Sequence, residues 1–461
     1  MTNDYDLVVI GAGAAGSTAA STAAESGHRV ALVERDRLGG TCLNYGCDPT
    51  KTLLHVAQRL FHARHGSRYG LRIAAAEADW TAVHTWVGQV LDRIRGGTRV
   101  EAHRHIAATG IDLYRAEARF GSPHEVIVGT QTLRAARIII ATGGEARVPP
   151  IDGLREVGFL TNIEAVSLAP LPRRLAIVGG GPIGVEFAQL FHRFGVAVTV
   201  LEMADRILPK DDRELVDRLA GLLVDEGVRL RTSVKVERAH CEAVATGKRI
   251  TLRDRAGVEE TLEVDEILLA TGRQAALDAL HLEAAGVETN KHGILVDPTL
   301  RTSVAHIWAA GDVTGGYQFT HVAAEQGQLA AHNAFASRPT SFDDRVVPWV
   351  TYTDPALAHV GQTEEQLREA GVRYRVARLA LNELDRAITT GETDGLVKLL
   401  ADEEGQLLGG QILAPNAGDL IAPVVLAMHA RLPVKVLAET ILPYPTMAEG
   451  VRWAADKLVG E

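Results

Sequence analysis

A chain of 461 residues with 46% apolar content and a mean hydropathy near zero describes a soluble globular protein too long for one ordinary core, so two to four domains are expected. The 48 Lys and Arg against 58 Asp and Glu give a net charge of −10, which argues against nucleic acid and anionic membranes as partners. Three cysteines cannot staple a chain of this length, and with neither a signal-like start nor an apolar run of about 18 residues, a cytoplasmic protein is expected.

In chain order, the apolar run 5–10 reads as a strand, followed at once by Gly11-Ala12-Gly13-Ala14-Ala15-Gly16. A small-residue helix to Ser26 and a second strand, 30–33, ending at Glu34 complete a βαβ dinucleotide fingerprint. Gly11, Gly13 and Gly16 let the backbone approach a pyrophosphate at the helix N-terminus. Glu34 is placed to accept hydrogen bonds from an adenosine ribose.

Next comes Gly39-Gly40-Thr41-Cys42-Leu43-Asn44-Tyr45-Gly46-Cys47-Asp48-Pro49-Thr50-Lys51, with two of the three cysteines five positions apart. In a regular helix that offset separates the Cα atoms by roughly 8 to 9 Å, beyond the ~7 Å reach of a disulfide. If the two bond, the segment is not regular helix there. Pro49 suits a first helical position with Asp48 as its N-cap, which predicts a helix starting just after Cys47 and favouring a Cys47 thiolate. Two unrelated loop thiols are the plain alternative.

A buried strand, 138–140, ends in Ala141-Thr142-Gly143, and Pro149-Pro150 reads as a linker. The fingerprint then recurs: strand 175–178, Gly179-Gly180-Gly181-Pro182-Ile183-Gly184, a helix to about Phe194, and strand 196–201 ending at Glu202. Two dinucleotides are therefore expected, the second resting on Gly179, Gly181 and Gly184. Ala270-Thr271-Gly272-Arg273 copies the Thr142-Gly143 turn. Residues 307–309 lead into Ala310-Gly311-Asp312, with a helix predicted over 322–335. From Pro348 onward, strands at 350–353 and 396–400 and helices at 363–370 and 421–430 describe a further α+β unit.

Together these motifs resemble the flavoprotein disulfide reductases, the class I pyridine nucleotide-disulfide oxidoreductases, over nearly the whole chain. The resemblance implies an α/β protein with two Rossmann-like doubly wound nucleotide-binding domains plus an α+β C-terminal dimerisation domain. FAD binding would occupy 1–148 and 274–343, NAD(P)H binding 149–273 and dimerisation 344–461. Cys42 would exchange with substrate, Cys47 would lie against the flavin, and Lys51 would sit near the flavin N5, paired with Glu186. Thr41, Thr142, Gly143, Gly272 and Asp312 would contact the cofactors. The implied assembly is a homodimer, and the implied oxidant a small molecule or a metal ion. Glu202 favours NADH, because a carboxylate repels a 2′-phosphate, while nearby Arg206 opposes that preference.

Tyr444-Pro445-Thr446-Met447-Ala448-Glu449-Gly450 departs from the His-Pro pair of the disulfide-reducing members. Glu449 is present, but a phenol with pKa near ~10 stands in for an imidazole near ~6.5, which argues against efficient turnover of lipoamide or glutathione. The motif is most similar to that of mercuric reductases, although that group's terminal cysteine pair and N-terminal metal-binding domain are not in this sequence. A dihydrolipoamide dehydrogenase is the alternative enzyme, and a redox sensor or scaffold keeping the flavin fold is the alternative of another class. Asp48 is expected to cap its helix rather than to repel the neighbouring thiolate. Arg273-Gln274-Ala275-Ala276 lacks the family's Pro-Asn, which predicts a looser interdomain joint. No zinc-type ligand spacing occurs. Cys241 reads as an ordinary thiol, and His55, His321, His359 and His429 as solvated or core histidines.

Overall fold

Strands 5–10, 30–33 and 138–140 are apolar almost throughout because packed elements cover both faces of their sheet, the condition under which parallel strands lose their polar alternation. The computed structural model describes residues 4–241 and 247–460. Strand β1 (Tyr5–Ile10) pairs in parallel with β2 (Val30–Val33) on one side and with Gln131–Ile140 on the other. Helix α1 (Ala14–Glu25) joins β1 to β2, and its buried alanines lie close against the helix Thr320–Phe335. A Cβ on Gly327 would stand 2.1 Å from the Ala15 carbonyl oxygen, so this contact admits only glycine. The strand Ile307–Ala309 returns from after the second nucleotide fold and pairs in parallel with Gln131–Ile140, completing the first sheet.

The second fold repeats the plan with the parallel order Arg229–Arg231, Ala197–Leu201, Arg174–Val178, Glu266–Leu269. The C-terminal unit is a five-stranded antiparallel sheet, running Trp349–Thr351, Ala356–Gly361, Leu407–Ala414, Leu396–Ala401, Arg375–Ala380. The joint between the nucleotide folds is not loose. Arg273–Ala275 pairs with Gly144–Ala146 in a two-stranded ribbon, and the Arg273 guanidinium reaches Asp312 at 3.2 Å and the Gly144 carbonyl. Backbone pairing supplies the order that a Pro-Asn turn was expected to give.

Two buried ionic knots tie the second fold to the C-terminal sheet. Arg193 contacts Glu226 at 2.7 Å and Asp354 at 2.8 Å. Lys398 contacts Asp212 at 2.9 Å, Glu214 at 3.2 Å and Glu364 at 2.6 Å. Among the described residues, no helix is long and apolar enough to cross a membrane, and no group of three or more His, Cys, Asp or Glu is arranged to hold a metal ion. The side chain of Cys241 lies outside the described residues.

Candidate active site

Helix α2 (Gly40–Tyr45) stops and helix α3 (Cys47–Arg64) starts with only Gly46 between them, at φ −128° and ψ −113°. That break interrupts the regular helix between the two cysteines, which are free thiols in this structure, each setting the other's proton affinity through a shared hydrogen bond. The helix start differs from the expected one. Gly46 is the N-cap, Cys47 is the first helical residue, and the Asp48 carboxylate makes no capping bond. Two residues of turn propensity were outweighed by the need to turn the chain between the thiols. Asp48 is instead a carboxyl raised by burial, and its charge raises both thiols.

The pair is electrostatically unequal. The hydrogen bond from Cys42 pulls Cys47 down to about 6 against its burial, helped by the Thr320 hydroxyl and the Lys51 ammonium. Sharing that bond and being buried push Cys42 strongly up. The reduced pair therefore loses its first proton as a unit, with the charge centred on Cys47.

Thr320 Oγ1 lies 3.4 Å from Cys47 Sγ. The sequence reading missed it by starting its helix at residue 322; the helix begins at Thr320, behind Phe319, which offers no polar cap. Thr320→Val is expected to raise the midpoint of the pH profile for iodoacetamide alkylation of the reduced protein by about one pH unit, the equivalent of one hydrogen bond to a charged group. An unmoved midpoint would remove Thr320 from the site.

Lys51 Nζ lies 2.7 Å from Glu186 Oε2, and Glu186 Oε1 accepts the Tyr352 N–H at 2.9 Å. Glu186 is 4% exposed, so it is a buried carboxylate satisfied on both oxygens rather than a helix-surface acid. Burial opposes the Lys51 charge, but Glu186 outweighs it and holds the ammonium above its usual range. Lys51 also stands 4.7 Å over the Tyr352 ring, which sequence reasoning did not single out.

The two glycine motifs behave alike. A Cβ on Gly11 would meet the Ala141 carbonyl oxygen at 2.4 Å, and one on Gly179 would meet that of Ala270 at 2.3 Å; both have positive φ. Gly16 and Gly184 pack onto the carbonyls of Gly11 and Gly179 at 1.8 and 2.0 Å by the same measure. Gly13 and Gly181 have nothing within 4 Å and open onto the cavity, where a phosphate could sit against the backbone. Glu34 accepts N–H groups from Ala12 (2.8 Å) and Asp36 (2.7 Å), and Glu202 from Gly180 (2.6 Å) and Ala204 (2.7 Å). Each carboxylate is thus aimed by its own turn, with lone pairs left for ribose hydroxyls.

One cavity of about 2080 Å³ runs along both folds and brings together Gly11, Gly13, Glu34, Thr41, Cys42, Cys47, Lys51, Thr142, Gly143 and Asp312 with Gly179, Gly181, Glu186, Glu202 and Gly272. Tyr444 and Glu449 do not line it. Tyr444 is 69% exposed, and its hydroxyl donates to Asp385 at 2.8 Å; Ile441, three positions earlier, is 89% exposed. Glu449 is buried and accepts the Thr446 N–H. Of the four histidines, only His321 reaches the cavity; His359 is buried and His55 and His429 are exposed. Arg206 is occupied by Glu365 at 2.8 Å and Asp205 at 3.6 Å.

The family model described as pyridine nucleotide-disulphide oxidoreductase matches residues 5–327, and the model of that family's dimerisation domain matches residues 347–455. A mercuric reductase of Lysinibacillus sphaericus is 38% identical over 98% of this chain and 82% of its own length. A dihydrolipoyl dehydrogenase of Thermus scotoductus is 37% identical over 98% of this chain and 97% of its own. Among solved structures, the Cu(II) complex of the HOCl-induced flavoprotein disulfide reductase RclA from Escherichia coli superposes with a TM-score of 0.86 at 34% identity, covering 96% of this chain and 98% of that one.

Proposed function

The chain belongs to the pyridine nucleotide-disulphide oxidoreductase family, and we propose that within it this protein is an NADH-dependent reductase of thiophilic metal ions that uses Cys42 and Cys47 as its metal-binding dithiol. The family uses FAD and a pyridine nucleotide. The first glycine turn, with Gly13 open to the cavity, and the Glu34 carboxylate fit the adenosine diphosphate half of FAD, and Asp312, Thr41, Thr142 and Gly143 would hold the remainder. When bound there, FAD supplies the hydride-accepting and electron-passing chemistry that no side chain here offers.

The second fold would bind NADH, with Glu202 accepting ribose hydroxyls and repelling a 2′-phosphate. Arg206, engaged by Glu365 and Asp205, does not offset that repulsion. Lys51, fixed by Glu186, would present a cation beside the reacting rings. Cys47 would hold the thiolate charge and Cys42 would exchange with the acceptor. Tyr444 and Glu449 would complete the cysteine site of a second copy in a homodimer, with the exposed Ile441 and Leu426 offering an apolar contact face.

The observation that carries the metal reading is Tyr444. Its hydroxyl is bonded to Asp385, whose carboxylate raises the phenol still further, so it cannot cycle a proton at neutral pH as an imidazole would. A disulfide substrate needs protons for its departing thiolates. A metal ion already held by two soft thiolates needs none. The balance is complete: NADH yields NAD⁺, one proton and two electrons, which reduce one Hg(II) to the metal or two Cu(II) to Cu(I). Similarity to mercuric reductases and to a Cu(II)-complexed structure supports this class of acceptor.

The test is a panel of Hg(II), Cu(II), lipoamide, glutathione disulfide and quinone with the purified flavoprotein, run with NADH and with NADPH. Metal-dependent oxidation is expected to exceed every other acceptor by at least about tenfold, and to be faster with NADH. Preferential lipoamide turnover would make the protein a dihydrolipoamide dehydrogenase and show that the missing imidazole has a substitute.

A further inference from the structure

Trp349, at the start of the strand Trp349–Thr351, is held by all three units of the fold. Its indole N–H donates to Asp211 Oδ1 at 2.8 Å, on the loop between Glu202 and the helix Arg213–Glu226 of the second nucleotide fold. Its ring stacks on His359 of the C-terminal sheet, with centroids 3.8 Å apart, and on Phe319 at 6.0 Å. Phe319 directly precedes Thr320, the residue touching Cys47. Three positions after Trp349, the Tyr352 N–H is bonded to Glu186, which holds Lys51. Asp211 and Trp349 both line the cavity.

Asp211 is 4% exposed, and among the described residues Trp349 is the side-chain donor to its carboxylate. An asparagine would accept the same N–H with less desolvation. A carboxylate adds charge, and with it a titration.

We propose that Asp211 is a positioning residue for the nicotinamide side of the relay: acting through Trp349, its carboxylate sets the register of Lys51 and of Cys47 against the second nucleotide fold, which carries Glu186. The inference rests on the relay described under the proposed function. An ionised carboxylate accepts the indole N–H in a charge-assisted bond, and a neutral carboxyl accepts it more weakly. Burial pushes the Asp211 carboxyl up to about 6, with Trp349 and Lys210 pulling it back and Asp212 adding to the rise. The grip on Trp349 is therefore present above about pH 6 and weakens as pH falls through that value. The other groups facing the contact are Lys210 and Asp212 on the same loop, Lys398 bound to Asp212, His359 under the indole, kept neutral by burial down to about 4, and His321, which stacks on Phe319 and contacts the Pro348 carbonyl.

The test compares wild type, Asp211→Asn and Trp349→Phe as FAD-loaded enzymes in the disulfide form, in which Cys47 has no proton to titrate. In rapid mixing, flavin reduction by NADH in the wild type is expected to slow about tenfold between about pH 7 and about pH 5, and both variants are expected to lose that dependence. Trp349 emission, taken as wild type minus Trp349→Phe, is expected to titrate with a midpoint near 6 and to be flat when the same subtraction is made with Asp211→Asn in both proteins. This second readout requires no turnover. A pH slope that survives Asp211→Asn assigns the dependence to another group and overturns the proposal. A pH-independent Trp349 emission also overturns it. Failure of NADH to reduce the wild-type flavin at any pH overturns the relay reading instead, and the emission titration tells the two failures apart.

Discussion

Replacing Cys47 by serine is expected to abolish the long-wavelength absorbance of a thiolate beside oxidised flavin at every pH, and to lower acceptor-dependent NADH oxidation by about 10³-fold or more, the scale of losing a nucleophile. Cys42→Ser should behave differently. It removes the exchanging thiol, so turnover falls comparably, yet Cys47 can no longer be tied up in a disulfide and the band should be present before any reductant is added. The sign of its pH dependence follows from the Cys47 thiol, which Thr320 and Lys51 still depress: the band is lost as pH falls, and without the Cys42 hydrogen bond it is lost at a higher pH than the value of about 6 held by the intact pair. Visible spectra of the two variants across that range provide the check. A band that persists in Cys47→Ser would reverse the assignment of the two cysteines, and a band in neither would end the relay.

Lys398→Met should produce the largest loss of stability of any single substitution discussed here. Lys398 and Asp212 have 2% and 3% of their side-chain surface exposed, and the ammonium serves three carboxylates. Arg378 remains for Glu214, at 2.8 Å, and for Glu364, so Asp212 is the carboxylate left without a cation, keeping only the Glu214 N–H that it accepts at 3.1 Å as the N-cap of its helix. Removing one partner of a buried pair costs about 3–5 kcal/mol, because the remaining charge stays out of water. Despite burial, hydrogen bonds from Arg378 and Lys398 hold Glu214 and Glu364 below the usual carboxylate range. The stability linked to such depressed carboxylates is present above their unfolded-state pKa and is lost as pH falls through the lower folded value. The deficit of Lys398→Met should therefore be greatest near neutrality and narrow in acid. Urea unfolding at several pH values measures it, and adding Asp212→Asn should recover part of the loss. A deficit below about 1 kcal/mol would mean that the Asp212 carboxylate, once without its cation, finds water.

Local pattern made much of this molecule legible. Both fingerprints could be read because each packs its requirements into thirty residues: an apolar strand, a glycine at a backbone collision, an open glycine, a close-packed glycine and an acid. The Lys51–Glu186 pair could be placed only through family resemblance, since 135 positions separate the partners. What stayed hidden was either a boundary or a distant contact. Asp48 and Pro49 carried the ordinary signals of a helix start, yet the helix begins at Cys47 because the backbone breaks at Gly46. Thr320 heads a helix with no polar cap to announce it. The Arg273 ribbon depends on strand pairing across 129 positions, and the contact from Trp349 to Asp211 spans 138, distances over which propensity carries no information. Tyr444 was legible as a chemical departure, but its bond to Asp385 was not.

The return of Ile307–Ala309 to the first sheet has a consequence for the order of synthesis. Its partner strand, Gln131–Ile140, leaves the ribosome 167 residues earlier, counting from Ile140 to Ile307. At about 5–20 residues per second that interval is roughly 8 to 33 seconds. Throughout it, the strand carries an unpaired edge of buried-type isoleucines, the kind of edge that recruits other strands. The second nucleotide fold, wholly encoded inside the gap, can close while the first waits. The nascent chain can thus close its inner fold before its outer one, and the sheet built on the N-terminal strand is completed only when residue 309 has emerged.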